Sequence, residues 1–109
     1  MGKLFEIKPK AYTPDYKTEQ PLTVWYRPMC VEEASDVLEK ARAMQADRID
    51  VGFLRGVMTR VVRLEYGKDR TEDPQDIIDT LTQDVWLAVD IVTGIAGGKV
   101  SDKDQVFTE

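Results

Sequence analysis

Between Val31 and Met44 the apolar residues Val31, Ala34, Val37, Leu38, Ala41 and Met44 recur at steps of three and four, the spacing that lays one apolar stripe along a helix. Glu32, Glu33 and Asp36 occupy the first turns and Lys40 and Arg42 the last, the order that the helix dipole favours. The pattern predicts a first helix over about residues 31–44. After a polar break at Gln45, Ala46 and Asp47, the same spacing returns in Phe53, Leu54, Val57, Met58, Val61 and Leu64, with Gly67 as a terminator. This predicts a second helix over about residues 49–66. The stretch GKDRTEDPQD reads as a loop ending in a helix start, with Asp73 as N-cap and Pro74 at the first helical position. A third helix is predicted over about residues 74–93, its core face formed by Ile77, Ile78, Leu81, Val85, Ala88, Val89 and Val92.

Upstream of Val31 the period changes from 3.6 to 2. Phe5 and Ile7 alternate with Leu4, Glu6 and Lys8, and Leu22, Val24 and Tyr26 alternate with Thr23, Trp25 and Arg27. The pattern predicts an antiparallel hairpin within about residues 4–27, joined by a long, proline-bearing connection at residues 9–21. Two strands alone are marginal in water and need a helix on one face. The expected fold is therefore α+β, mainly α: a single domain over residues 1–95 in which an N-terminal two-stranded antiparallel β-hairpin packs on three helices. Residues 96–109, with glycines at 94, 97 and 98 at or near their start, lose all periodicity and read as a flexible C-terminal tail.

The third helix holds the feature closest to function. In VWLAVDIVTGI the one charge is Asp90, so the helix becomes apolar nearly all round. Such a helix is either central in the core or covered by something else. Trp86, Leu87, Ile91 and Ile95 are thus candidates for an oligomer or partner interface, with cover by the hairpin or the tail as the alternative. On the second predicted helix Arg48, Arg55 and Arg63 fall within about 80° at 100° per residue, with Arg60 beside them. That stripe reads either as a solvated face or as a docking strip for an acidic partner.

Composition narrows the chemistry further. The 109 residues include no histidine and one cysteine, which excludes a His-based triad, a zinc finger and an internal disulfide. Cys30 lacks a base and has Glu32 and Glu33 nearby, so it is expected to be a half-buried structural cysteine. The acidic residues Asp69, Glu72, Asp73 and Asp76 lack the spacing of a calcium loop, and no phosphate-binding loop is present. The expectation is a protein that is not an enzyme, with no catalytic residues, no cofactor and no metal. A net charge of −5 argues against nucleic acid, and no apolar run approaches the roughly 20 residues of a membrane span. Without the apolar core of a signal peptide in MGKLFEIKPK, a cytoplasmic location is expected. Charge is unevenly spread, +2 over residues 1–29 and −5 over residues 67–95, an asymmetry that suits head-to-tail association of copies.

The order of these features resembles the tail assembly chaperones of long-tailed bacteriophages. The likeness runs over about residues 20–95. It is carried by a strand ending in Arg-Pro (LTVWYRP), an acidic-start helix (VEEASDVLEKA), a helix ending in a Val-Val stretch and an aromatic before a charged loop (VVRLEYGKDRTEDP) and a helix opening DIIDTL. The resemblance implies a non-enzymatic chaperone in the cytoplasm of the host bacterium, absent from the mature virion, that binds the tape-measure protein and self-associates as a homo-oligomer. It also implies a longer product, made by ribosomal frameshifting, whose extra domain recruits tail-tube protein; the pair Gly98-Lys99 is compatible with a slippery GGN-AAR messenger. The rival expectations are a head-tail joining or tail-completion component of the virion and a small antitoxin-like interaction module.

Overall fold

The computed structural model describes residues 4–44, 48–101 and 107–108. Along the chain run β1 (Lys10–Tyr12), β2 (Leu22–Tyr26), α1 (Val31–Ala43), α2 (Val51–Met58), β3 (Val61–Tyr66), β4 (Asp69–Thr71), α3 (Pro74–Leu81) and α4 (Val85–Ala96). The strands form one sheet in the order β1-β2-β3-β4, antiparallel throughout. The expected two-stranded hairpin on three helices is therefore corrected: the described residues form a four-stranded antiparallel sheet with four helices. The polar break at residues 45–47 lies outside the described residues.

Each correction has a local cause. The second predicted helix ends at Met58, because Thr59 and Arg60 turn the chain and VVRLEY continues as β3. Val61 and Leu64 fit a helical stripe by spacing, yet a run with two adjacent valines and a tyrosine fits a pleated, half-buried surface better. Gly67 stops no helix: with φ +58° it takes the first central position of the two-residue turn joining β3 to β4. The third predicted helix is cut in two at Thr82–Asp84. The Asp84 side chain accepts from the backbone N–H groups of Trp86 (2.8 Å) and Leu87 (3.3 Å), so it caps a new helix instead of sitting in the middle of an old one. The first strand is Lys10–Tyr12, within the expected connection, while Leu4, Phe5 and Ile7 are exposed and outside the sheet. The helix over 31–44 and the Asp73-Pro74 start agree with their predictions, α1 covering Val31–Ala43 and the Asp73 carboxylate accepting from Asp76 N–H.

The helices bury one face of the sheet. Leu22, Val24 and Tyr26 of β2 and Val61 and Leu64 of β3 join Val37, Leu54, Met58, Ile77, Leu81 and most of α4 in one cluster. Burying each of the large aliphatic side chains contributes about 1.5–3 kcal/mol. The register pairs Trp25 with Arg63 and Tyr26 with Val61, leaving Val62 as an extra residue at a bulge. The tail expectation is corrected in part as well. Gly98, at φ +66°, follows α4 with Gly98 N–H bonded to the Ile95 carbonyl and Lys99 N–H to that of Gly94, the two bonds of a Schellman stop. Ser101 N–H then bonds the Ala11 carbonyl on the outer edge of β1.

Gly94 marks a close approach between β1 and α4. A Cβ there would stand 2.3 Å from the Tyr12 ring, so the strand and the helix meet only because that position lacks a side chain. Alanine favours a helix by about 1 kcal/mol over glycine, but here it forces apart a packed pair, at about 1–3 kcal/mol. Gly94→Ala is expected to lower the midpoint of urea unfolding; an unchanged or higher midpoint would contradict the packing described.

Candidate interaction surface

The seven residues read as a partner surface separate in the fold. Leu87, Ile91 and Ile95 are buried, at 3%, 0% and 0% exposure. They lie on α4, which packs most heavily on α1 and also on α2 and α3, with Tyr12 of β1 across Gly94. The all-round apolar helix is thus enclosed by its own chain, and these three residues are corrected from interface candidates to core. Trp86 differs: between half-buried Val85 and buried Leu87 it lies on the outward face of the helix and is 60% exposed.

The arginine stripe does not form. Arg48 precedes α2, Arg55 lies in its last turn, and Arg63 is on β3, so the helical angles that aligned them do not exist. Arg48 and Arg55 are exposed and Arg60 pairs with Glu33 of α1. Arg63 is 2% exposed, the one charged side chain buried among the described residues. Its Nε and Nη2 both donate to Glu72 Oε2, at 2.7 and 2.6 Å, and its guanidinium carbon lies 4.2 Å from the centre of the Phe107 ring. A buried cation needs this kind of pairing, since leaving it alone costs several kcal/mol. Cys30, expected half-buried, is exposed at the start of α1.

Sequence reasoning missed the cluster that ties the long β1–β2 connection to α4. Asp90, noted in the sequence as the lone charge of an apolar helix, accepts from the Tyr12 hydroxyl at 2.5 Å and from Tyr16 N–H at 2.8 Å. A lone carboxylate in an apolar helix is itself the signal, because it has to find donors. At the C-terminal end of α4 the Tyr26 hydroxyl donates to the Lys99 carbonyl at 2.7 Å, so a core tyrosine holds the chain after the helix. Burial pushes the Tyr26 hydroxyl up to about 12, and burial followed by the Asp90 contact raises that of Tyr12 as well.

Exposed apolar side chains at Leu4, Phe5, Val31, Val51 and Trp86 are what this surface offers a partner. Among the described residues no group of three or more His, Cys, Asp or Glu is placed to hold a metal ion, and no helix is long and apolar enough to cross a membrane. No family model matches the chain, and no curated protein or solved structure matches it.

Two outcomes follow from these placements. Leu87→Asp is expected to unfold the chain, since a carboxylate would enter a dry core, whereas Trp86→Ser should change stability by no more than about 0.5 kcal/mol; circular dichroism in urea separates the two. A folded Leu87→Asp chain that merely fails to associate would restore the interface reading. The tyrosines set a pH limit. Both are raised in the folded state above the ordinary value of about 10, so the stability tied to their protonated forms is complete below pH 10 and is lost as pH rises from there toward 12. The urea midpoint should fall above about pH 10, and Tyr26→Phe should make that fall shallower; an equally steep fall in the variant would contradict the assignment.

Proposed function

We propose that this protein is a non-enzymatic tail assembly chaperone of a long-tailed bacteriophage, acting in the host cytoplasm, where it binds the tape-measure protein, self-associates and leaves before the virion is complete. The observation that carries this reading is the resemblance over about residues 20–95: LTVWY lies on β2, VEEASDVLEKA on α1 and DIIDTL on α3, while VVRLEY, a helix end in the resemblance, is the strand β3. A chaperone of this kind needs apolar surface outside its own core, because a long client helix exposes apolar stripes until it is enclosed. Trp86, Leu4, Phe5, Val31 and Val51 supply such surface, and the exposed Arg48 and Arg55 add positive charge beside an otherwise acidic chain.

The position of Gly98-Lys99 supports the second part of the reading. Every strand and helix between Lys10 and Ala96 is complete before that pair. A change of reading frame there leaves these elements intact and replaces the sequence after them, Ser101 and Phe107 included, and in the longer product the added domain recruits tail-tube protein.

The native gene with its downstream DNA, tagged at the N-terminus, tests this by immunoblot. The expected result is a faint, longer second band that disappears when the codons for Gly98 and Lys99 are silently recoded, with the chain missing from purified particles. A single band, together with the chain present in particles, would overturn the reading in favour of a virion component.

A further inference from the structure

The sheet face that points away from the main apolar cluster carries a built site that the assembly role does not use. Ala11, Trp25 and Arg63 sit side by side across β1, β2 and β3, at 1%, 3% and 2% exposure, although Ala11 and Trp25 lie outside the main cluster. Their cover comes from the chain's own end. The Phe107 ring meets Trp25 edge-on, with centroids 5.4 Å apart and planes at 66°, and it stacks on the Arg63 guanidinium, which Glu72 holds in place. An aromatic ring is thus seated between an indole edge and a fixed cation, both favourable arrangements for a π-face.

The occupant is incomplete. Trp25 Nε1–H is buried and has no hydrogen-bond partner among the described residues. Buried indole donors ordinarily find an acceptor, so the seat offers a contact that Phe107 leaves unused. Beside the ring runs a groove lined by Ile7, Lys8, Arg27 and Val62, with Glu6 as its one carboxylate. The sequence that carries Phe107 has the complementary sign: SDKDQVFTE contains Asp102, Asp104 and Glu109 against Lys103 alone.

We propose that the Phe107 seat is a peptide-docking site, filled in the free chain by its own C-terminal phenylalanine, and that it takes from a partner protein an extended acidic segment bearing one aromatic side chain and an oxygen acceptor for Trp25 Nε1–H. The competition sets its selectivity. Ser101 is fixed to Ala11, so Phe107 is tethered close to its seat at an effective concentration of about millimolar. A segment offering only a ring cannot displace it at micromolar levels. One that also satisfies the indole donor gains about tenfold and competes from about a hundred micromolar upward. This site stands independently of the phage reading.

Two versions of the nonapeptide SDKDQVFTE, fluorescently labelled, one intact and one with the phenylalanine replaced by alanine, test the seat by anisotropy against the full-length chain and its Phe107→Ala variant. The intact peptide should bind the variant saturably at one to one and the parent chain at least tenfold more weakly, while the peptide without the ring should bind neither. In a nitrogen-15 spectrum of the variant the Trp25 indole signal should move on binding and that of Trp86 should not. Absence of saturable binding to the folded variant, equal binding to both chains, or movement of the Trp86 signal alone would each overturn the proposal. If Phe107→Ala does not fold, the parent chain labelled with fluorophenylalanine replaces it: millimolar peptide should shift the Phe107 fluorine signal to its solvent position, and a signal that stays in place would overturn the proposal.

Discussion

A helix that is apolar on every side has to be enclosed, and α4 imposes that requirement on the whole chain. Leu87, Ala88, Ile91, Val92, Ile95 and Ala96 are all buried, on more than one face of the helix. Three short helices cannot surround a fourth by themselves, so the sheet closes the remaining side. Tyr12 lies against α4 at Gly94, where a side chain would clash, and its hydroxyl ends on Asp90, the single charge of the helix. The polar exception and the missing side chain are therefore parts of the same contact. Burial supplies the energy of this contact, while the hydrogen bond fixes its register.

The sheet is wide because of the same demand. With β3 and β4 formed by the chain after α2, the core face gains Val61 and Leu64 beside Leu22, Val24 and Tyr26. Alternation then places Trp25 and Arg63 on the other face, where no aliphatic neighbour can satisfy a guanidinium. Glu72, just past β4, and the Phe107 ring take that role. The edges of the sheet are protected in different ways. β4 is three residues long and carries Asp69 and Arg70, and β1 is bonded along its outer edge by Ser101.

The sequence was readable where a local signal and the tertiary structure agreed. Helix α1 follows from its stripe and its charge order, and the start of α3 follows from Asp73 and Pro74. It misleads where one spacing serves two structures: Val61 and Leu64 continue a helical stripe on paper, and in the strand the bulge at Val62 brings both to the core face. The cap at Asp84 is hidden because the apolar pattern runs across it, yet an aspartate within a helix favours the competing local bonds that cut it. The candidate surface failed for a related reason. Leu87, Ile91 and Ile95 exceed what three helices and a hairpin can bury; the break at Thr82–Asp84 lets α3 pack on α4, and two more strands widen the sheet, which removes the surplus. Trp86, Arg48 and Arg55 stay at the surface, and the Trp25–Arg63–Phe107 seat had no sequence signal because its members come from three distant segments.

Hydrogen exchange measured peptide by peptide across a range of protein concentrations tests the central claim, that α4 is enclosed within one chain. The amides from Leu87 to Ala96 are expected to be the slowest in the protein and to exchange at a rate independent of concentration, as global unfolding of a single chain requires. Protection of α4 that weakens on dilution would contradict the account, since the helix would then be covered by a second copy.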